Sequence, residues 1–346
     1  MVMTSNKASL EELCPNPVLL APMVGLTHYA VRAALADFLP EGKRALWMTE
    51  MLNSRRIPSQ KPNENPEIYF HDAENGLCPQ LLANEEEFIR LSVPRLEAWG
   101  SKAIDINMGC PVKKALKHNY GVALMGDPHY AAEVVRMTAS RASVPVSVKL
   151  RASGIPQDGQ VHDFDYLVRF IGGLVDAGAS WITLHPRSAG QLRKGAADWS
   201  VIARLKREFS VPIIGNGDVQ IGEDIDRMKE QSGCDRVMVG RALLAKPWLL
   251  KHVPGSGVPD PDPYEQHELY GQFLKGVLRR MKEVYPVEAG LRRMRFLIVY
   301  SKAWVEFGEY LYGRVMASQD YEELEAALDR FFSTRQRILE RTSLRN

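Results

Sequence analysis

Residues 103–111 read AIDINMGCP, an apolar strand that runs into a tight turn carrying a cysteine. Asn107 closes the strand, Gly109 lets the backbone bend sharply, and Pro111 fixes the far side of the turn. A free cysteine is most often a small buried hydrophobe, so Cys110 alone predicts little. It lies three residues past a strand, however, and the active-site residues of parallel α/β barrels lie at the carboxyl ends of their strands. The stretch therefore predicts a barrel strand with a thiol presented at its carboxyl end.

Seven further apolar runs of strand length recur along the chain, with helical periodicity between them. Together the predicted strands are Pro17–Ala21, Leu46–Thr49, Leu77–Leu82, Ala103–Asn107, Val144–Leu150, Trp181–His185, Val211–Gly215 and Arg236–Gly240. The intervening helices include Glu85–Trp99, His129–Ala142, Phe164–Ala177 and Ser200–Glu208. A doubly wound open sheet is the alternative, but the strand count and the absence of GxGxxG after the first strand disfavour it. The pattern predicts a (β/α)8 TIM barrel.

The chain divides into four predicted segments. Residues 1–14 are expected to be an unstructured leader, and 15–253 to form the barrel. The stretch 254–263 is rich in Pro and Gly, which predicts a linker. The last segment, 264–346, has no strand pattern and predicts a small all-α helical bundle. Its helices are expected near 264–284, 288–304 and 320–340, with a short piece near 306–313.

The composition excludes several classes of protein. Hydrophobic residues make up 45% and charged residues 25% of the 346, and the net charge is +2. No apolar run reaches the roughly 18 residues of a membrane span, and no secretory signal opens the sequence. The four cysteines form no CxxC pair, which argues against a zinc site and a disulfide framework. We expect a cytoplasmic monomer with no metal and no membrane partner.

The carboxyl ends of the predicted strands supply the candidate active-site residues. These are Pro22, Met23, Val24, Gln80, Asn107, Cys110, Lys149, Arg151, His185, Arg187, Asn216, Gly217, Asp218, Gly240 and Arg241. The loops around Gly217 and Gly240 form the usual phosphate cradle of such barrels, and Arg241 can pair with the anion. Lys149 suits either negative charge on a flavin ring or the Schiff base of an aldolase. The thiol in the same ring of residues favours the flavin, to which His185 could also hydrogen-bond.

Several of these segments together resemble the tRNA-dihydrouridine synthases. They are residues 21–23 (APM), 105–111 (DINMGCP) with Lys113 and Lys114, 147–149 (SVK), 216–218 (NGD) and 239–241 (VGR) before Pro247 and Trp248. The resemblance spans about residues 15–252, and the cysteine turn is its specific part. It implies a flavoenzyme that reduces uracil in transfer RNA, with bound FMN as cofactor and NADPH as reductant.

The resemblance also implies a role for each site residue. The FMN-binding set would be Pro22, Met23, Val24, Gln80, Lys149, His185, Asn216, Gly217, Asp218, Gly240 and Arg241. Asn107 would orient the target base, and Cys110 would be the general acid. Hydride would pass from flavin N5 to uracil C6 while the thiol, which is ordinarily protonated at neutral pH, protonates C5.

Basic residues concentrate at the predicted barrel mouth and in the tail, which indicates an RNA surface. Residues 275–302 hold Lys275, Arg279, Arg280, Lys282, Arg292, Arg293, Arg295 and Lys302 against Glu283 and Glu288. On an ideal helix Arg292, Arg295 and Lys302 share one face. A charge run is normally a solvated helix face, but the family resemblance favours tRNA. The expected contacts to tRNA are Lys113, Lys114, Arg187, Arg292, Arg293 and Arg295, placed around a base flipped into the pocket.

Two other functions remain compatible with the sequence. An FMN-dependent reductase of a small pyrimidine or enone would use the same barrel and would not need the basic tail. A non-catalytic RNA-binding protein would keep the barrel and the basic tail without using the Cys110 thiol.

Overall fold

The computed structural model describes residues 7–62, 69, 76–112, 116–154 and 163–343. These residues form eight parallel strands: β1 (Val18–Leu20), β2 (Trp47–Asn53), β3 (Leu77–Leu82), β4 (Ile104–Met108), β5 (Val146–Ser153), β6 (Ala179–Ser188), β7 (Ile213–Asn216) and β8 (Arg236–Val239). The spatial order is β1-β8-β7-β6-β5-β4-β3-β2, so β8 returns to pair with β1. Strands β1 and β2, at the two ends of this order, lie next to each other. The predicted TIM barrel is confirmed.

Helices alternate with the strands. They are α1 (Leu10–Leu13), α2 (Tyr29–Ala36), α3 (Glu86–Ala98), α4 (Pro128–Arg141), α5 (Phe164–Asp176), α6 (Trp199–Glu208) and α7 (Gly222–Ser232), with 3₁₀ turns at 57–59, 121–126, 241–244 and 247–251. The side chains of Asp127, Asp163 and Asp198 accept backbone N–H groups at the starts of α4, α5 and α6. Gly233 ends α7 with φ of +64°. The four predicted barrel helices agree with the structure to within one residue at each end, and the aspartate caps account for the starts of three of them, α4, α5 and α6.

The C-terminal segment forms a helical bundle, as predicted. Its helices are α8 (Pro263–Val284), α9 (Val287–Ser301), α10 (Gly308–Ala317) and α11 (Tyr321–Phe332). The side chain of Asp262 accepts the backbone N–H groups of Tyr264 and Glu265, which starts α8 where the proline-rich stretch ends. Helix α11 ends eight residues before the predicted 340, because the chain turns back there and Ile338 pairs with Val305. The short piece predicted near 306–313 is the full helix α10.

The bundle packs on the barrel through helix α2 and the loop that follows it. Phe38 and Phe273 meet edge to face with ring centroids 6.4 Å apart. Arg280 of α8 donates to both carboxylate oxygens of Asp37, at 2.8 and 3.0 Å. Buried apolar residues run without a break from the barrel into the bundle. The two parts therefore share one hydrophobic core.

The N-terminal segment corrects one expectation. Residues 9–14, expected to be unstructured, contain helix α1, with Leu10 and Cys14 buried against the barrel. Ser9 and Glu12 form a reciprocal capping box, in which each side chain accepts the other's backbone N–H. This Ser-x-x-Glu spacing was the sequence signal that could have identified the helix.

Candidate active site

The carboxyl ends of β1 and of β5 to β8 surround a cavity of about 230 Å³. Nine of the predicted cofactor residues line it: Pro22, Met23, Lys149, His185, Asn216, Gly217, Asp218, Gly240 and Arg241. Three further arginines, Arg151, Arg187 and Arg193, contribute to the wall. Among these described residues the cations outnumber the single carboxylate, that of Asp218. The electrostatics of the cavity therefore suit an anionic ligand.

Two predicted cofactor residues, Val24 and Gln80, lie outside this lining. Val24 is 56% exposed and lines a separate groove with Phe296 of α9. Gln80 is fully buried, and both ends of its amide are hydrogen-bonded to protein side chains. Val24 thus borders the helical bundle, whereas Gln80 joins Asp105 to Asn107 in the barrel interior.

Asn107 holds the cysteine turn in place. Its Oδ1 accepts the backbone N–H groups of Gly109 at 3.2 Å and Cys110 at 3.0 Å. Its Nδ2 donates to Oε1 of Gln80 at 2.8 Å. The residue is only 7% exposed, so these contacts give its side chain a structural role in the turn. Its predicted role in orienting a base stays a prediction.

Cys110 differs in exposure from the other three cysteines, all of which lie within the described residues. Cys14, Cys78 and Cys234 are buried, whereas Cys110 is partly exposed. Its carbonyl oxygen accepts the backbone N–H of Val122 at 3.2 Å. Cys110 is therefore the most exposed of the four cysteines, although it is not among the residues that line the cavity, and its role as general acid stays a prediction.

Gly121 supports the cysteine turn and was missed by sequence reasoning. Its φ is +59°, and a Cβ on it would lie 2.7 Å from the carbonyl oxygen of Cys110 and 3.2 Å from the Cβ of that residue. A side chain at 121 would therefore both strain the backbone and displace the turn. The sequence signal was a lone glycine eleven residues after Cys110, which is too weak to stand alone.

Lys149 projects from β5 beside Asn107 of β4. Burial, followed by the nearby guanidinium of Arg151, lowers the pKa of Lys149 to about 8. Within the described part of the chain Nζ has no hydrogen-bond or ion-pair partner. Lys149 is partly buried in the wall of the cavity, so a ligand bound there can supply the acceptor for its ammonium group.

Arg151, two residues further along β5, ties the cysteine turn to the end of β6. Its Nε donates to the carbonyl of Gly109 at 2.9 Å, and its Nη1 donates to the carbonyls of Ser188 and Leu192. Burial lowers the pKa of the guanidinium, which remains charged because an arginine stays protonated at any ordinary pH. Arg151 is therefore a fixed cation that braces two loops of the mouth.

His185 is held neutral. Burial, reinforced by Lys149 and three surrounding arginines, lowers its pKa to about 2. Its Nε2 lies 3.2 Å from Nη1 of Arg187. A guanidinium can only donate, so Nε2 accepts and the ring proton is on Nδ1. His185 thus offers a neutral N–H donor at the cavity.

Gly217 and Asp218 give the loop after β7 an unusual backbone. Their φ values are +121° and +58°. A Cβ on Gly217 would lie 2.9 Å from that of Ala197 and 3.0 Å from Cδ2 of His185. Only glycine fits this close approach, which keeps the loop tight against the cavity. Asn216 donates to the carbonyl of Met238 at 2.8 Å and so joins β7 to β8 below the predicted phosphate cradle.

The predicted tRNA contacts fall in three different environments. Lys113 and Lys114 lie outside the described residues. Arg187 is 6% exposed and lines the cavity instead of facing solvent. Arg292 is exposed on α9. The side chains of Arg293 and Arg295 are partly buried.

The basic tail is largely neutralised by its own fold, contrary to the sequence-based expectation of one free basic face. Pairs within 4.0 Å join Lys275 to Asp329, Arg279 and Arg280 to Asp37, Lys282 to Glu325, Arg293 to Glu50 and Lys302 to Glu309. Arg295 donates to the carbonyl of Ser318 at 2.7 Å. Helix α9 ends at Ser301, so Lys302 does not continue its face. Apart from Glu309, which is seven residues from Lys302, the acidic partners come from distant parts of the chain, so local charge counting could not detect them.

The described residues include neither a metal-binding cluster nor a membrane-spanning helix. Residues 7–62, 69, 76–112, 116–154 and 163–343 contain no group of three or more His, Cys, Asp or Glu side chains placed to hold a metal ion. Over the same ranges no helix combines the length and apolarity needed to cross a membrane.

Comparison with known proteins gives a consistent match. A sequence model of the dihydrouridine synthase (Dus) family matches residues 19–328. A probable tRNA-dihydrouridine synthase of Rickettsia prowazekii is 31% identical over 273 residues, which cover 77% of this chain and 80% of that protein. One from Mycobacterium tuberculosis is 30% identical over 336 residues, covering 92% and 83%. Another from Rhodobacter capsulatus is 32% identical over 287 residues, covering 81% and 84%.

Proposed function

Because the chain belongs to the dihydrouridine synthase family and is therefore an oxidoreductase, we propose that it is a flavin-dependent tRNA-dihydrouridine synthase. It would reduce the C5–C6 bond of uridines in tRNA, with FMN as bound cofactor and NADPH as reductant. The observation that carries this proposal is the partly exposed Cys110 on a braced turn beside Lys149 and the cationic cavity.

The cavity residues fit FMN. Two donors, the Lys149 amine and the neutral N–H of His185, match the pyrimidine edge of that cofactor. The Arg241 guanidinium matches its phosphate. Gly217 and Gly240 line the same cavity and are the backbone positions that we assign to the phosphate. When bound, FMN would supply transfer of a hydride, received from NADPH, to C6 of the uracil. Lys149 would be the residue that holds positive charge against the flavin.

Cys110 would donate the proton that completes the reduction. Addition of hydride at C6 leaves negative charge on C5 and the adjacent carbonyl, so an acid must lie within reach of C5. The Cys110 S–H bond breaks as the C–H bond at C5 forms, and water then returns a proton to the thiolate. Asn107 and Gly121 keep the sulfur at the mouth while this occurs.

The tRNA would bind across the barrel mouth and the helical segment 264–346, with Arg292 at the exposed surface of α9. A uridine must leave its stack to reach Cys110, which is the usual solution for enzymes that act on a base. We further propose that the barrel spans 15–253, that 254–263 is a linker and that the enzyme acts as a cytoplasmic monomer.

One observation favours a second candidate, an FMN-dependent reductase of a small pyrimidine or enone. Six of the tail cations that suggested RNA are paired with acidic side chains of the same chain, and Arg295 donates to a carbonyl. Incubation of the enzyme and NADPH with free uridine and with unmodified tRNA distinguishes the two. We expect dihydrouridine only in tRNA; equal reduction of free uridine would favour the small substrate.

Cys110→Ala tests the proposed chemistry. We expect the variant to bind FMN and to oxidise NADPH as the wild type does, and to form dihydrouridine in tRNA at least about 10²-fold more slowly. Cys234→Ala is the matched control, because that thiol is fully buried away from the cavity. Dihydrouridine measured by mass spectrometry of digested tRNA reports the outcome, and unchanged formation in Cys110→Ala would remove the thiol from the mechanism.

A further inference from the structure

A buried hydrogen-bond chain runs from Asp105 of β4 to the cysteine turn. Oδ2 of Asp105 accepts from Nε2 of Gln80 at 2.7 Å. Oε1 of Gln80 accepts from Nδ2 of Asn107 at 2.8 Å, and Oδ1 of Asn107 accepts from the backbone N–H of Cys110 at 3.0 Å. All three distances are those of well-formed hydrogen bonds. Asp105 and Gln80 are both fully buried, so water cannot replace either partner.

The two ends of this chain require the same arrangement of the amides between them. An ionised carboxylate can only accept hydrogen bonds, and the backbone N–H groups of Gly109 and Cys110 can only donate. Gln80 and Asn107 must therefore each direct the NH₂ group toward Asp105 and the oxygen toward the turn. Either amide flipped by 180° would place donor against donor or acceptor against acceptor.

Asp105 has no direct contact with the cavity, yet its burial is costly. Burial raises the pKa of its carboxyl to about 6, opposed by hydrogen bonds from Ser147 and Gln80 and by the charge of Lys149. Ser147 occupies the second oxygen, Oδ1, at 2.6 Å. The group is thus mostly ionised at pH 7 and above, where both oxygens act as acceptors. Burying this charge costs free energy, which the hydrogen bonds from Ser147 and Gln80 partly offset.

We propose that Asp105 is a positioning residue for Cys110: its carboxylate fixes the orientations of the Gln80 and Asn107 amides and so sets where the thiol is held. This inference rests on the proposed function, in which the sulfur must meet C5 of the base. Without an acceptor at 105 the buried NH₂ group of Gln80 loses its partner, so Gln80 is no longer held and Asn107 keeps only its bonds to the turn. The Asn107 side chain can then shift, and the turn that it holds loosens with it.

Alkylation of Cys110 by iodoacetamide tests this without relying on turnover. The other three cysteines are buried, so modification of the folded full-length protein reports the turn. We expect Asp105→Leu to raise the Cys110 alkylation rate at least about fivefold, because the sulfur becomes more exposed. Dihydrouridine formation at saturating tRNA should fall about 10²-fold, as for a displacement of about 1 Å, while the half-saturating tRNA concentration changes little.

Two further variants distinguish an effect on the orientation of the amides from a general loss of folding. Asp105→Asn keeps an acceptor for Gln80 if its NH₂ faces the hydroxyl of Ser147, so alkylation should stay within about twofold of the wild type. Gln80→Met breaks the next link and should behave like Asp105→Leu, and it decides the question if Asp105→Leu does not fold. The inference is wrong if Asp105→Leu and Gln80→Met, where folded, are alkylated at the wild-type rate. It is also wrong if Asp105→Asn is alkylated as fast as Asp105→Leu.

The same experiments distinguish a failure of this inference from a failure of the proposed function. A fully active Cys110→Ala would remove the thiol from the chemistry, while the alkylation rates would still decide whether Asp105 positions it. An inactive Cys110→Ala together with a fully active Asp105→Leu would leave the function standing and reject the role of Asp105.

Discussion

Arg187 donates through Nη2 to both carboxylate oxygens of Asp218, each at 2.7 Å. Asp218 also accepts the backbone N–H of Ala197 at 2.7 Å, and Arg187 donates to Nε2 of His185. The pair therefore joins the end of β6 to the loop after β7 and fixes the ring of His185. Because the Arg187 side chain is only 7% exposed, water can do little to replace a lost partner.

Asp218→Asn should lower the free energy of unfolding by about 2–4 kcal/mol, since it leaves a mostly buried guanidinium without its counter-charge. FMN binding should weaken as well, because both residues line the cavity. Urea denaturation and flavin titration measure the two effects. Asp329→Asn is the control: it removes an exposed pair with Lys275 and should change stability by no more than about 1 kcal/mol. Equal denaturation midpoints for the two variants would contradict the prediction.

FMN affinity should fall as the pH rises through about 8. Burial lowers the pKa of Lys149 to that value, so the cation that we assign to the flavin is lost above it. Affinity measured by fluorescence quenching between pH 6 and 10 should show this decrease in the wild type. Lys149→Arg keeps a charge at 149 over the whole range, so its affinity should stay level. A decrease of the same size in that variant would assign the effect to another group.

Protein stability should decline as the pH falls below about 6.5, partly because of His28. This histidine is fully buried, and neither of its ring nitrogens has a hydrogen-bond partner among the residues that the structure describes. Burial, with the charges of Arg293 and Arg32, lowers its pKa well below the usual value. The unfolded chain binds a proton that the folded chain excludes, so each pH unit in the acid range removes up to about 1.4 kcal/mol.

In His28→Leu the free energy of unfolding should therefore depend less steeply on pH below about 6.5, by the amount that corresponds to about one bound proton. It should also be no less stable than the wild type at pH 7, since it replaces a buried ring whose nitrogens find no partner in the described ranges. Urea midpoints at pH 4 to 7 measure both effects. The exposed His129 provides the comparison, and His129→Gln should leave the slope as it is. An unchanged slope in His28→Leu would show that His28 is protonated in the fold.

Arg292 and Arg295 should respond differently to substitution although only two residues separate them. Arg292 is exposed and has no ion-pair or hydrogen-bond partner within the described ranges, whereas Arg295 donates to the carbonyl of Ser318. Arg292→Ala should weaken tRNA binding, reduce the slope of log affinity against log salt by about 0.9, and leave the melting temperature unchanged.

Arg295→Ala should instead destabilise the protein by about 1–3 kcal/mol through loss of its charge-assisted hydrogen bond. Thermal melting and filter binding at several salt concentrations distinguish the two effects. A salt slope identical to the wild type in Arg292→Ala would remove that arginine from the proposed RNA surface.

Local signals in the sequence were sufficient for the barrel. The strand runs, the aspartate caps of α4 to α6 and the Gly109–Pro111 turn each depend on neighbours only a few residues away. The strand order of the barrel then placed most of the predicted cofactor residues around one cavity, because parallel strands present their carboxyl ends on the same face.

What the sequence by itself determined, then, was the barrel, the order of its strands and the position of Cys110 at a strand end. Tertiary structure alone decided which charges remain available: Asp37 meets Arg280, 243 residues away, and Glu50 meets Arg293 at the same separation. It also turned Gln80 and Asn107 into supports for the cysteine turn. The reason is physical: hydrogen bonding and ion pairing depend on distance in space and on burial, and neither is encoded in the local pattern of residues.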